Sequence, residues 1–281
     1  MVWRRVSGLL LVAILLLDHI IFLLAQILNS IPILIFVIYT ILSEPHAKTF
    51  DGTKYDFHSE CDLVATSSPA FQNGAGLDLH VRTTLNQHGF SYVSGAVLRI
   101  GSDFLEIDAN MNLHINAVPV LHANLPTVFA GYPLVKDGMW VRVWLNDFEG
   151  ISFASPVGMM KVLVDAVLPG ASGLVGTTGV PGRIGRDGVS ILTPEQMGTE
   201  WQVGVGAGDH PNMFMAARAP QFPAQCNLPP AANGRRLGED SARRRMAEEA
   251  CAKVTNLEEI NDCIFDVMQT GDGSVAVDYM E

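Results

Sequence analysis

The stretch Met139-Trp140-Val141-Arg142-Val143-Trp144-Leu145 alternates between aliphatic side chains and a second series of two tryptophans and an arginine. Successive side chains of a β-strand point to opposite faces of a sheet, so this period of two predicts a strand with one face in a core. Turn signals bound the stretch, with Lys136-Asp137-Gly138 before it and Glu149-Gly150 after it. The pattern therefore predicts one strand of an antiparallel sheet.

Similar short runs fill the chain from Phe50 to about Val167, and Leu77-Asp78-Leu79-His80-Val81-Arg82 shows the same alternation. Turn signals separate these runs at Asp51-Gly52, Asn73-Gly74, His88-Gly89 and Gly101-Ser102. No helical pattern of ten residues interrupts them. This spacing is typical of an antiparallel sandwich rather than of βαβ units, so we predict a mainly β fold built as an antiparallel β-sandwich.

The composition excludes several classes of protein. With 48% hydrophobic and 17% charged residues, the chain is too apolar to be intrinsically disordered. Its formal charge of −11 is opposite in sign to that of phosphate-binding surfaces, so we expect no nucleic-acid partner. The mean hydropathy of +0.25 is high because apolar residues are concentrated near the N-terminus.

Residues 1–43 carry a membrane signal. Ile20 to Leu42 is a charge-free window of 23 residues, which is the length that spans a bilayer as one helix. Arg4 and Arg5 precede it, and the positive-inside rule then places the rest of the chain on the outside. We predict a signal anchor or transmembrane helix with the C-terminal part extracellular or lumenal.

Two alternatives to the signal anchor remain at this stage. Val6 to Leu17 has the length of a signal-peptide apolar region, and cleavage behind it would give a secreted protein. A two-helix hairpin turning at Asn29 to Pro32 would return the remainder of the chain to the cytosol.

The C-terminal third changes character. Gly204 to Asn233 is rich in Gly, Pro and Ala and is interpreted as a linker or a segment that wraps the sandwich. The runs Ser241 to Cys251 and Leu257 to Met268 have helical patterns. Cys251 and Cys263 lie one on each of these runs and could meet across a helix hairpin.

The sequence contains no recognised catalytic or zinc-binding spacing. His46, His58, His80 and His88 lie near one another in the chain, but they form no HExxH or Cys/His pattern, so we interpret them as scattered imidazoles. No G-x-S-x-G nucleophile motif is present. We therefore expect a protein that is not an enzyme.

The run from Glu44 to Val64, which contains Pro-His-x-x-Thr-Phe-Asp-Gly and ends Glu-Cys-Asp-Leu-Val, resembles the opening of a von Willebrand factor type D domain. Gly173-Leu174-Val175-Gly176 and Met197-Gly198-Thr199-Glu200-Trp201-Gln202-Val203 follow in the order of that family's later landmarks. The resemblance covers about residues 44–205. It implies an extracellular β-sandwich used in adhesion, matrix assembly or lipoprotein-type binding, without a conserved catalytic group.

The resemblance also implies a calcium cofactor, held in the family by the Asp of the TFDG run and by Asn and Asp side chains of a later loop. Asp51 is retained here. The loop from Thr177 to Asp187 keeps Asp187 as its single carboxylate and contains Arg183 and Arg186. The charged ligands implied are thus Asp51 and Asp187.

The resemblance bears on the cysteines as well. Cys61 matches a family cysteine whose expected partner lies where this chain has Val175, so Cys61 pairs with Cys226, pairs elsewhere or stays free. Of the three complete pairings of four cysteines, we favour Cys61–Cys226 with Cys251–Cys263. Disulfides fit an oxidising compartment.

These observations divide the chain into a signal anchor or transmembrane segment at 1–43, a sandwich at 44–205, a Pro/Gly/Ala-rich linker at 206–238 and a helical, cysteine-containing extension at 239–281. We expect a non-catalytic adhesion or matrix-interaction module that is tethered through residues 20–42 and binds an extracellular protein or glycan. The alternatives are a secreted enzyme of oxidoreductase type that carries this domain, or a fragment of a larger mosaic extracellular protein.

Overall fold

The computed structural model describes residues 39–41, 46–85, 91–156, 158–204, 210–216, 226, 241–256 and 259–280. Its strands are, in chain order, β1 (Tyr39–Ile41), β2 (His46–Lys48), β3 (Lys54–Asp56), β4 (Asp62–Ser68), β5 (Leu77–Leu85), β6 (Ser91–Ile100), β7 (Asp103–Asp108), β8 (Leu113–Ile115), β9 (Val118–Val120), β10 (Thr127–Phe129), β11 (Tyr132–Asp137), β12 (Trp140–Trp144), β13 (Gly150–Ala154), β14 (Lys161–Asp165), β15 (Ser172–Gly173) and β16 (Gly176–Thr177). A four-residue helical segment lies at Phe71–Gly74, and the longer α-helices are α1 (Pro194–Glu200), α2 (Ser241–Ala250) and α3 (Ile260–Thr270). Segments of 3₁₀ helix occupy His122–Asn124, Cys251–Lys253 and Gly273–Tyr279.

The strands form two antiparallel sheets. In the first sheet the spatial order is β10-β11-β12-β13-β14-β1-β2-β3, and in the second it is β16-β15-β4-β5-β6-β7-β8-β9. Buried side chains from both sheets, such as Phe153 of the first and Leu98 of the second, belong to one contiguous core. The prediction of a mainly β fold with antiparallel sheets is confirmed.

Strand β12 shows how local pattern produces this core. Val141 and Val143 are fully buried in it, whereas Trp140, Arg142 and Trp144 are half-buried on the outer face of the sheet. Strand β12 pairs with β11 on one side and β13 on the other, so it is a central strand. The alternation that predicted a strand thus corresponds to the two faces of the first sheet.

Strand β1 lies within the last residues of the predicted membrane span. Tyr39–Ile41 pairs with residues 162–164 of β14, and Ile41 also pairs with Ala47 of β2. The rest of the predicted anchor lies outside the described residues. Among the helices of the part that the structure describes, none has the length and apolarity needed to cross a bilayer.

The C-terminal helices form a second small core. Their buried residues pack with Met159 and Tyr92 of the sandwich, and the members from the extension include Ala247, Cys251, Val267 and Tyr279. Gly271 caps the C-terminus of helix α3, and its φ of 69° is the left-handed conformation that glycine adopts most readily. The extension lies against β2 and β3, which places it at the edge strand of the first sheet.

Candidate functional site

Asp51 lies in the turn between β2 and β3, and its carboxylate is held by four donors. The backbone N–H of Thr53 donates over 3.1 Å, its hydroxyl over 3.1 Å, and the N–H of Gly182 over 2.9 Å. The hydroxyl of Thr49 donates as well. The hydrogen bond from Thr49 is the largest influence on the pKa of Asp51, which is lowered despite partial desolvation. Gly182 brings the loop after β16 to this turn.

Asp187 lies on the same loop, and the hydrogen bonds that it accepts come from residues two and three positions further along the chain. Its carboxylate accepts hydrogen bonds from the N–H groups of Val189 and Ser190 over 3.0 and 2.8 Å, and from the Ser190 hydroxyl. The Ser190 hydrogen bonds lower the pKa of this exposed carboxyl. Asp187 therefore closes its own turn, and its contacts are separate from those of Asp51.

The two arginines of the loop hold it in place. Arg183 donates from Nε to the carbonyl of Leu192 over 2.8 Å, with its guanidinium 5.6 Å from the Tyr55 ring. Arg186 donates to the carbonyl of Glu200 over 2.7 Å and lies 5.3 Å from the ring of Trp201. Two half-buried cationic groups thus organise a loop in which the resemblance implied a metal ion.

This arrangement does not match the ligand set of calcium. The ion takes six to eight oxygen ligands, whereas the oxygens of Asp51 already accept four hydrogen bonds that the ion would have to displace. Within the described ranges no group of three or more His, Cys, Asp or Glu side chains is arranged to hold a metal ion. Calcium binding by Asp51 and Asp187 therefore rests on the resemblance alone, and calorimetry can test it.

The structure contains both disulfides favoured from the sequence. Cys61 and Cys226 are joined across 165 residues of chain with a Cα–Cα distance of 5.1 Å, and both are buried. Cys251 and Cys263 are joined across 12 residues with a Cα–Cα distance of 6.0 Å. The first bridge ties the linker to the sandwich, and the second closes the helical extension on itself.

An ion cluster centred on the buried side chains of His46 and Asp266 joins the sandwich to the extension, and no motif in the sequence indicates it. His46 of β2 is 7% exposed. Its Nε2 lies 3.1 Å from a carboxylate oxygen of the fully buried Asp266 on α3, and its Nδ1 lies 2.5 Å from Asp56. The hydroxyl of Tyr279 donates to the other oxygen of Asp266. We call these four residues the His46 cluster.

The electrostatics of the His46 cluster favour a permanent charge. Burial lowers the pKa of His46, but hydrogen bonds and charges from Asp266 and Asp56 outweigh it and raise the value to about 11. A doubly protonated ring that donates from both nitrogens has no lone pair for accepting a proton at neutral pH. The cluster is therefore an ion pair between two parts of the fold rather than a general base.

No sequence spacing could have shown this cluster, because Asp266 follows His46 by 220 residues. The one feature of the sequence that drew attention to His46 is its position in the run Glu44 to Val64, which carries the resemblance to the von Willebrand factor type D domain. A second contact, between Lys54 of β3 and Asp262 of α3 over 3.1 Å, lies beside the cluster at the surface.

A second histidine lies under the described part of the linker. His80 of β5 is fully buried on the outer face of the second sheet, with the ring of His210 5.9 Å away. Burial lowers the pKa of His80 to about 3. Neither ring nitrogen has a hydrogen-bond partner among the residues that the structure describes. The neutral imidazole is thus packed as an apolar group.

Neighbouring contacts hold the same part of the linker on the sheet. Phe214 lies under the guanidinium of Arg82 at 4.2 Å, and the N–H of Met215 donates to Glu106 over 2.7 Å. With the Cys61–Cys226 bridge, these contacts place the described linker residues against the sandwich.

No protein-family model matches the chain, and no curated protein matches it in sequence.

Proposed function

We propose that this chain is a non-catalytic binding module held on the extracellular or lumenal side of a membrane. The observation that carries the proposal is the Cys61–Cys226 disulfide, which is buried between the sandwich and the linker. Disulfides persist in oxidising compartments and are rare in the cytosol. A structural bridge in the core of the fold therefore favours an exported domain.

The rest of the proposal follows the resemblance. A von Willebrand factor type D-like sandwich at 44–205 would act in adhesion or matrix contact, with an extracellular protein or glycan as its ligand. Two antiparallel sheets with a shared core and an extension packed at one edge are compatible with such a module.

The tether proposed for residues 20–42 remains long enough when β1 is taken into account. Because Tyr39–Ile41 pairs in the sheet, the apolar window before it is Ile20 to Ile38. As a helix, this window would be about 28 Å long, close to a hydrocarbon core of about 30 Å.

The location is tested on sealed microsomes that carry the full chain. We expect residues 44–281 to be protected from added protease, and mass spectrometry without reduction to recover peptides linked by Cys61–Cys226 and Cys251–Cys263. Four alkylated thiols together with cleavage in intact vesicles would overturn the proposal.

The binding role is tested with the same chain in liposomes. We expect wild-type liposomes to adhere to immobilised extracellular matrix, and adhesion to fall when Cys61 and Cys226 are both replaced by Ala. Adhesion no greater than that of empty liposomes would count against a contact function.

A further inference from the structure

We propose that a groove at one end of the first sheet binds a neutral oligosaccharide. The groove lies where β11 begins and β12 ends, and it is open to solvent. Its volume is about 380 Å³, and its lining residues are Tyr132, Pro133, Trp144, Leu145, Asn146 and Asp147. Small-ligand sites commonly have volumes of about 300–1,000 Å³. None of these residues was singled out as a binding residue from the sequence.

Strand pairing brings the lining together. Leu134 pairs with Val143, so Pro133 lies beside Trp144 on the outer face of the sheet. Val128 of the edge strand β10 pairs with Pro133 and is 64% exposed. The apolar strip thus continues across three strands, or about 10 Å, which favours a chain of sugars over a single ring.

The Trp144 ring is held in place from one side. The guanidinium of Arg142 lies 4.0 Å from its centroid and also contacts Asp165 over 3.3 Å. Gly150 makes room for this arrangement, because a Cβ there would lie 2.7 Å from the Val143 carbonyl and 3.1 Å from Arg142 Nε. A ring fixed before the ligand arrives loses little conformational entropy on binding.

The other walls of the groove are ordered as well. The Tyr132 hydroxyl accepts a hydrogen bond from Gln72 over 2.5 Å, and its ring packs 6.3 Å from that of Phe71. Asn146 accepts from the N–H groups of Phe148 and Glu149 over 2.8 and 2.9 Å, which fixes the loop after β12. These contacts preorganise the groove.

The chemistry of the lining favours a saccharide. A sugar ring presents a face of C–H groups that packs on an aromatic ring and an edge of hydroxyls that need acceptors. Trp144 and Pro133, which lie side by side on the outer face of the sheet, supply the apolar surface. Asp147 supplies an exposed carboxylate, which no hydrogen bond or ion pair engages in the part of the chain that the structure describes.

Charge argues against the two other obvious occupants. An anionic ligand would meet Asp147 and a chain of formal charge −11. A cationic side chain on the open face of the Trp144 ring would be repelled by the Arg142 guanidinium, which lies over the other face. An uncharged ligand with hydroxyl donors avoids both penalties.

This inference rests on the proposed function, because it names the class of ligand that the module would contact. The full chain in nanodiscs is titrated with cellohexaose, mannohexaose and chitohexaose, and binding is measured by calorimetry and tryptophan fluorescence. We expect at least one of them to bind, with the dissociation constant raised at least tenfold in Trp144→Ala.

The matched control is Trp140→Ala, which removes the other tryptophan on the outer face of β12 and should leave binding unchanged. Asp147→Ala, in the exposed loop, is a second test of the groove in case Trp144→Ala folds poorly, and it should also weaken binding. Trp144→Phe should bind more tightly than Trp144→Ala, because it keeps an aromatic ring at this position. The proposal is overturned if none of the three oligosaccharides binds, or if Trp144→Ala and Asp147→Ala both bind them as tightly as the wild type.

The liposome assay separates this inference from the proposed function. If wild-type and Trp144→Ala liposomes adhere equally, the groove is not the site while the module still makes contacts. If wild-type liposomes do not adhere at all, the contact function itself is refuted, whatever the oligosaccharide titration shows.

Discussion

Replacing Asp266 by Asn would test whether buried charge holds the helical extension to the sandwich. Asp266 is fully buried and lies 3.1 Å from Nε2 of His46. Removing one partner of a buried ion pair costs about 3–5 kcal/mol. Asp56, which is more exposed, would still pair with His46, so we expect the free energy that holds the extension in place to fall by about 3 kcal/mol. Asn keeps the shape of Asp, which limits changes in packing.

We expect Asp266→Asn to loosen the helical extension more than the sandwich. Hydrogen exchange of the α3 amides in the full chain should accelerate about 100-fold if the extension opens more readily by that free energy. Tryptophan fluorescence, which reports the sandwich, should change less. Nuclear magnetic resonance should show the pKa of His46 falling from about 11 towards its ordinary value.

Asp262→Asn is the matched control, since Asp262 lies on the same helix and pairs with Lys54 near the surface. Exposed pairs contribute about 0–1 kcal/mol, so exchange in α3 should hardly change. Equal effects of the two substitutions, or no effect of Asp266→Asn, would refute the reasoning.

Four further predictions concern stability and metal binding. A disulfide that closes a longer loop removes more entropy from the unfolded chain. Replacing Cys61 and Cys226 by Ala, which opens a loop of 165 residues, should therefore lower the free energy of unfolding by about 5 kcal/mol. Replacing Cys251 and Cys263 by Ala, which opens a loop of 12 residues, should lower it by about 3 kcal/mol, and equal urea midpoints of the two variants would contradict this. Gly198→Ala should destabilise by about 1–3 kcal/mol, since a Cβ would lie 1.7 Å from the Phe57 ring, whereas Gly95→Ala, with ordinary contacts, should cost less in the same denaturation assay. The pKa of His80 is about 3 in the folded protein against 6.5 in the unfolded chain, so the stability that the buried neutral ring contributes is present above pH 6.5 and is lost as the pH falls towards 3. The thermal midpoint should therefore decline over this pH range, and His80→Leu should make the decline shallower. An equally steep decline in His80→Leu would show that another group causes it. Calcium titration of the wild type should give no heat, because donors already occupy the Asp51 carboxylate; heat that disappears in Asp51→Asn would establish the site.

Local patterns predicted the parts of the fold that depend on neighbours along the chain. The period of two at 139–145 corresponds to β12, and the run at 77–82 lies in β5. The predicted second helix, Leu257 to Met268, corresponds to α3 at Ile260–Thr270 within the described residues. Helix α1 was not predicted, although Thr193 and Gln196 form a capping box at its start, because seven residues are too few for a clear helical period.

By itself the sequence determined the β-sheet class and the helical tail, since alternation and helical period are properties of short segments. It favoured one disulfide pairing among three, and the structure contains that pairing. Only the tertiary structure decided that His46 meets Asp266, that Arg183 and Arg186 hold the loop near Asp51, and that Trp144 lines a groove with Tyr132. These contacts join residues far apart in the chain, and the charge of a buried group depends on partners that no local pattern names.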